Sequence, residues 1–124
     1  MDCPFCKIPE EQIIAKNNLC FAIFDKYPVN PGHVLIIPYR HFSSFFEATE
    51  EEKIAILRLI DEVKKILDER FKPDGYNIGV NVGKAAGQTI MHLHVHVIPR
   101  YWGDEPDPTG GVRGVICERK NYKK

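Results

Sequence analysis

His92-Leu93-His94-Val95-His96-Val97-Ile98-Pro99-Arg100 is the stretch that decides how this chain is read. Three histidines alternate with three apolar residues. A period of two is the period of a β-strand, so the spacing predicts a strand with all three imidazoles on one face and Leu93, Val95 and Val97 on the other. At roughly 3.3 Å of rise per residue, neighbouring rings stand about 6.6 Å apart in a row. The apolar face needs a core to pack against. The histidine face needs a groove.

The segments on either side supply both. Upstream, Tyr76, Ile78, Val80 and Val82 alternate with Asn77, Gly79 and Asn81, which predicts another strand, and Gly83 to Gly87 reads as a small-residue loop. Further back, Thr49-Glu50-Glu51-Glu52 is a capping box, and Ile56, Leu57, Ile60, Val63 and Leu67 recur at helical spacing until Pro73-Asp74-Gly75. Leu19 to Phe24 and His33 to Pro38 read as strands, joined by a loop over Asp25 to Gly32 that carries two prolines and a glycine. Residues 1–18 are mixed in character, and an irregular tail is expected from about 103. This order predicts an α+β fold, with one domain over 1–124. Its antiparallel sheet has about five strands, with one long helix on the valine face.

The totals narrow the function. A chain of 124 residues is long enough for a real core. Lys plus Arg and Asp plus Glu are 17 each, so no net basic charge argues for a nucleic acid or an anionic membrane as partner. No apolar run approaches the roughly 20 residues of a membrane span, and the N-terminus lacks a signal-peptide pattern, so a cytoplasmic location is expected. Four cysteines without a secretion signal do not suggest a disulfide framework.

Three readings of the histidine row compete: buried and hydrogen-bonded rings, a metal site, or nucleophilic catalysis. The segment 75–103 contains no carboxylate, whereas Gly83 to Gly87, Gln88 and Thr89 offer backbone and side-chain donors beside the row. Donors without anions suit an anionic substrate such as a phosphate. Neutral imidazole is a competent nucleophile at phosphorus. His94, in the middle with groups on both sides to hold the non-bridging oxygens, is the best placed to attack. Its second ring nitrogen needs an acceptor to fix the tautomer, and a backbone carbonyl is expected.

With these residues in view, the chain resembles the histidine triad superfamily of nucleotide hydrolases and transferases. The family motif, His-φ-His-φ-His-φ-φ with φ apolar, is met by His92 to Ile98. The resemblance extends over Phe24 to Pro38 and over Asn81 and Gly87-Gln88-Thr89, and runs from about residue 3 to residue 104. It implies that His94 becomes nucleotidylated, that His96 and His33 contact phosphates and assist the leaving group, and that Gln88, Thr89 and Asn81 hold phosphate oxygens. It further implies that Asp25 accepts from ribose hydroxyls, and that Phe5, Ile8 and Ile23 form a slot for the base. Ordinary core is the other reading of those three apolar residues. A homodimer with one continuous sheet is implied as well.

Within the superfamily, Gly87-Gln88-Thr89 and Pro99-Arg100 resemble the diadenosine polyphosphate hydrolases. Tyr27-Pro28-Val29-Asn30-Pro31-Gly32-His33 and Tyr101-Trp102-Gly103-Asp104 resemble phosphorylases acting on the same substrates. The expected activity is cleavage of dinucleoside polyphosphates at the α-phosphate through a nucleotidyl-histidine, with no metal required for the chemistry. Phosphorolysis, nucleoside phosphoramidase activity and non-catalytic nucleotide sensing follow as alternatives.

Cys3-Pro4-Phe5-Cys6 is a CxxC, which alone means zinc, redox chemistry or neither. A redox pair normally opens a helix after a strand, which Pro4 and the nearby chain start disfavour. Some bacterial-type members of the superfamily bind zinc through two such cysteines, a histidine matching His41 and the first triad histidine. The resemblance therefore implies structural zinc on Cys3, Cys6, His41 and His92, leaving His94 free.

Overall fold

A computed structural model describes residues 3–120. The elements run β1 (Ile13–Lys16), β2 (Cys20–Phe24), β3 (Val34–Pro38), α1 (Glu50–Phe71), β4 (Gly75–Val80) and β5 (Val95–Arg100). The strands form one antiparallel sheet in the order β1-β2-β3-β5-β4. The α+β class, the sheet of five strands and the single long helix are as the sequence predicts. β1 is the strand that no pattern announced.

Period-two alternation splits the sheet residues between two apolar clusters. Cys20, Ala22, Val34, Ile36, Val95 and Val97 face α1, where Ile56, Leu59, Val63 and Leu67 meet them. Leu93 joins this cluster, so the apolar side of the histidine row packs as expected. Phe21, Ile23, Leu35 and Ile37 face the other way and are covered by Cys3 and Phe5 of the N-terminal arm. The helix begins where its capping box dictates. Thr49 Oγ1 accepts from the Glu52 amide at 3.1 Å, and Glu52 Oε1 accepts from the Thr49 amide at 2.8 Å. It ends at Lys72, which turns left-handed at φ 51° ahead of Pro73. Leu57, expected on the buried stripe, is 64% exposed; Leu59 takes the inward position.

The histidine strand needs a correction. The β5 ladder begins at Val95, so His92 and His94 precede it and only His96 lies within it. Val95 pairs with Ile36 of β3 and Val80 of β4; β4 ends there, and β3 runs only two residues further. β3 ends at Pro38, which has no N–H to continue a ladder. The Leu93 amide donates to Phe42 O instead, at 2.7 Å. The inside-outside alternation continues past the end of pairing, which is why the sequence reads as one strand. β4 likewise stops at Val80, leaving Asn81 and Val82 outside it. The tail beyond 103 carries two 3-10 turns, Gly111–Val115 and Cys117–Arg119, and its last four residues lie outside the described ones. Among the described residues, no helix is long and apolar enough to cross a membrane.

Candidate active site and metal cluster

A cleft of about 680 Å³ opens on the sheet face opposite α1, within the size range of small-ligand sites. Phe5, Ile8, Ile23, Asp25, Thr89, His94 and His96 all line it. The two readings of Phe5 and Ile23 merge, because both belong to the second apolar cluster and also form the cleft wall. The Phe5 ring stands 5.0 Å from the His94 ring, centroid to centroid.

Backbone groups fix the tautomers of the row. His94 Nδ1 lies 2.8 Å from the His92 carbonyl oxygen, which can only accept. Nδ1 therefore carries the proton, and Nε2 is left with its lone pair. This is the backbone acceptor that the sequence required. At the other end, the Val29 amide donates to His33 Nδ1 at 3.0 Å. The neutral His33 ring then holds its proton on Nε2, which stands 3.0 Å from His96 Nδ1 and 3.5 Å from Asp25 Oδ2. His96, accepting on Nδ1, carries its own proton on Nε2. Burial pushes His96 down to about 4, with the charges of His94 and His33 adding to it. His33, 2% exposed, is lowered by burial and partly restored by Asp25. Both rings are neutral at pH 7. His33 stands behind the cleft wall and reaches it through His96.

A second cluster gathers at His92. Its Nε2–H donates to Pro38 O at 2.8 Å, which turns the unprotonated Nδ1 toward Cys3 Sγ at 3.3 Å, Cys6 Sγ at 3.5 Å and His41 Nδ1 at 3.0 Å. His41 Nδ1 is 3.4 Å from Cys6 Sγ. All four donor atoms lie within 4.8 Å of one another. Tetrahedral zinc bonds of about 2.0–2.3 Å would set ligand atoms roughly 3.3–3.8 Å apart. Two thiols and two imidazoles at these separations can hold a metal ion, with the Pro38 carbonyl orienting one ring from behind. Without a cation, the hydrogen bond with Cys3 and burial raise the Cys6 thiol above its usual range. A cation would invert that balance. Asp25, His33 and His96 also converge. There, however, the Val29 N–H occupies the only lone pair of neutral His33, so metal binding would require an imidazolate.

Gln88 and the glycine loop sit differently from expectation. Gln88 is 4% exposed, its amide N–H groups donate to Ser43 O and Ile90 O, and its Oε1 accepts from the Gly83 amide. It holds the loop and has no donor left for a phosphate. The Ala86, Gly87 and Gln88 amides bond to carbonyls inside the same loop. Thr89 is the part of this segment that reaches the cleft, and Asn81 is exposed outside its lining. Leu35 and Ile90 complete the apolar wall and were not singled out, although Leu35 sits on the Ile23 face by simple alternation. The Val29 amide was also missed. A backbone donor leaves no mark in the residue type.

Residues 7–103 match the HIT domain family. The chain is 36% identical over 107 residues to a protein of Mycobacterium tuberculosis named AP-4-A phosphorylase, covering 82% of this chain and 55% of that protein. It is 36% identical over 93 residues to the bis(5'-adenosyl)-triphosphatase of Dictyostelium discoideum, covering 75% of this chain and 62% of that one. The chain thus spans only about half to three fifths of the length of these relatives. A crystal structure of a Zn-bound histidine triad family protein from Mycobacterium smegmatis superposes with a TM-score of 0.74 at 32% identity, covering 85% of this chain and 84% of that one.

Proposed function

The chain belongs to the HIT domain family, and on that premise we propose that it hydrolyses dinucleoside polyphosphates through a nucleotidyl-histidine on His94. The observation that carries this reading is the 2.8 Å bond from His94 Nδ1 to the His92 carbonyl, which leaves Nε2 as the lone-pair nitrogen of a side chain on the cleft wall. The base stacks among Phe5, Ile8 and Ile23. Asp25 accepts from the ribose, and Thr89 and His96 Nε2–H contact the α-phosphate.

His94 Nε2 attacks the α-phosphorus. The P–N bond forms as the bridging P–O bond breaks, and the positive charge on the ring is stabilised through Nδ1–H against the carbonyl. The leaving oxygen accepts from His96 Nε2–H, which His33 Nε2–H holds in place through His96 Nδ1, and the polyphosphate departs as its anion. Water then attacks the same phosphorus and gives its proton to solvent, and the P–N bond breaks with its electron pair returning to His94 Nε2, which releases the nucleotide.

Zinc fits the Cys3, Cys6, His41 and His92 cluster, and when bound it supplies a structural clamp between the N-terminal arm and the row. The Zn-bound relative supports this assignment. The clamp secures Phe5 in the cleft wall, since Phe5 lies between the two cysteines. A homodimer that extends the sheet is supported by β4, an open edge on which Ile78 is 47% exposed.

A second reading, transfer of the nucleotidyl group to inorganic phosphate, is supported by the name of the mycobacterial relative. The test is product analysis on diadenosine triphosphate and tetraphosphate, with and without inorganic phosphate. Hydrolysis predicts AMP as the nucleotidyl product in both conditions. ADP formed only when phosphate is present would move the assignment to the phosphorylase. A wild-type protein that cleaves neither substrate would contradict both.

A further inference from the structure

We propose that Asp104, in the segment after β5, is a positioning residue that sets the proton positions of His33 and His96 through Asn30 and the loop 25–33. The proposal rests on the hydrolytic reading for its catalytic consequence, but its first readout needs no substrate.

The contacts form an unbroken path. Asp104 Oδ2 accepts from Asn30 Nδ2 at 2.7 Å, and Asn30 Nδ2 also donates to Pro99 O at 3.1 Å. Asn30 immediately follows Val29, whose amide fixes His33 Nδ1 as an acceptor. Asn30 O accepts from the His33 amide at 3.2 Å, which closes the turn. His33 Nε2–H then meets His96 Nδ1. The turn is held tightly on its far side as well. Gly32 has φ 88°, and a Cβ there would stand 3.1 Å from the Phe71 and Pro99 side chains. Tyr101 Oη donates to Pro31 O at 2.7 Å.

Asp104 is built as a fixed anionic anchor. Its side chain is 14% exposed. Besides Asn30 it accepts from Arg100 Nε at 2.8 Å, from a terminal nitrogen of Arg100 at 2.8 Å and from the Tyr101 amide at 3.0 Å. The bonds from Arg100 hold its carboxyl well below the usual carboxylate range, so it stays ionised. An ionised acceptor makes the stronger bond to an amide N–H and fixes which way the Asn30 side chain points. Deleting it loosens the residue that carries the Val29 amide against His33. A ring that loses a fixed N–H partner is free to move its proton to the other nitrogen.

The variants are Asp104→Ala, which removes the acceptor of the Asn30 donor, and Asn30→Ala, which removes the same link from the other side. Proteins with 15N-labelled histidine are compared by long-range 1H–15N spectra without substrate at neutral pH. Wild type is expected to show both His33 and His96 as Nε2–H tautomers, and each variant a mixture at both rings. The expected kinetic effect is a fall in kcat of about tenfold with KM changed less than about twofold, since the loss is in proton positioning rather than binding. If Asp104→Ala fails to fold, Asn30→Ala carries the test. Unchanged ring spectra in a folded variant overturn the proposal, whatever the rate. So does a wild type in which either ring is protonated on Nδ1. A tautomer shift in a chain that cleaves no polyphosphate would uphold the positioning role and sink the hydrolytic reading instead.

Discussion

At one end of the histidine row, His41 Nδ1 lies 3.0 Å from His92 Nδ1; at the other, His33 Nε2 lies 3.0 Å from His96 Nδ1. The paired rings look alike, and the backbone makes them different. His92 gives its proton to the Pro38 carbonyl and presents a bare nitrogen to two thiols. His33 takes the Val29 amide and presents a proton to His96. A carbonyl behind an imidazole leaves a bare nitrogen to act as a ligand, and an amide behind it leaves an N–H to donate. His94, between the two ends, follows the first rule with the His92 carbonyl, and its bare nitrogen belongs to the cleft. The proposed roles of clamp, nucleophile and hydrogen-bond donor follow that division.

The largest effect expected from breaking this division is at the clamp. Cys3→Ser should drop bound zinc from about one equivalent per chain to below about a tenth, and should lower Tm, because structural metal binding is coupled to folding. Metal analysis of freshly purified protein checks it. A variant that keeps full zinc content would show that the four-donor cluster is not the site. Next in size, His33→Asn should lower kcat by roughly 10²-fold while zinc content stays at the wild-type level, since losing the alignment of one donor to developing charge costs about 10²–10³. Loss of zinc in this variant would mean that the two ends are not separate.

The smallest effect concerns pH. Folded His96 stays unprotonated down to about 4, whereas the unfolded chain takes up that proton near 6.5. The contribution of His96 to stability is therefore complete above pH 6.5 and is lost as the pH falls toward 4. Tm measured between pH 7.5 and 4.5 should fall more steeply for wild type than for His96→Asn. Equal slopes would contradict a neutral, partly buried ring at His96.

Much of this was legible in the residues, and the exceptions share a cause. Thr49 and Glu52 mark the helix start because a capping box is local chemistry. Ile13–Lys16 was not legible as β1, because four residues at a sheet edge carry no period of their own. The alternation over His92 to Ile98 correctly divided inside from outside. It could not show that pairing stops at Val95, since that depends on Pro38, far away in the chain. Gln88 looked like a phosphate donor by type, yet its amide is consumed by Ser43, Ile90 and Gly83. The four-donor cluster of Cys3, Cys6, His41 and His92 was available only through resemblance, as a CxxC alone does not name its other two members. Residue type and spacing reveal what a side chain can do. Which backbone group stands behind it is settled by the fold.

The central claim is that His94 Nε2 forms a covalent bond to phosphorus. Wild-type protein mixed with diadenosine tetraphosphate, denatured within the first turnover under alkaline conditions and weighed intact should carry one added adenylyl group, mapped by fragmentation to His94. His94→Ala treated identically should carry none and should lose activity by on the order of 10⁴-fold while still binding nucleotide. An unmodified wild-type chain captured during active turnover, or undiminished turnover in His94→Ala, would contradict the account.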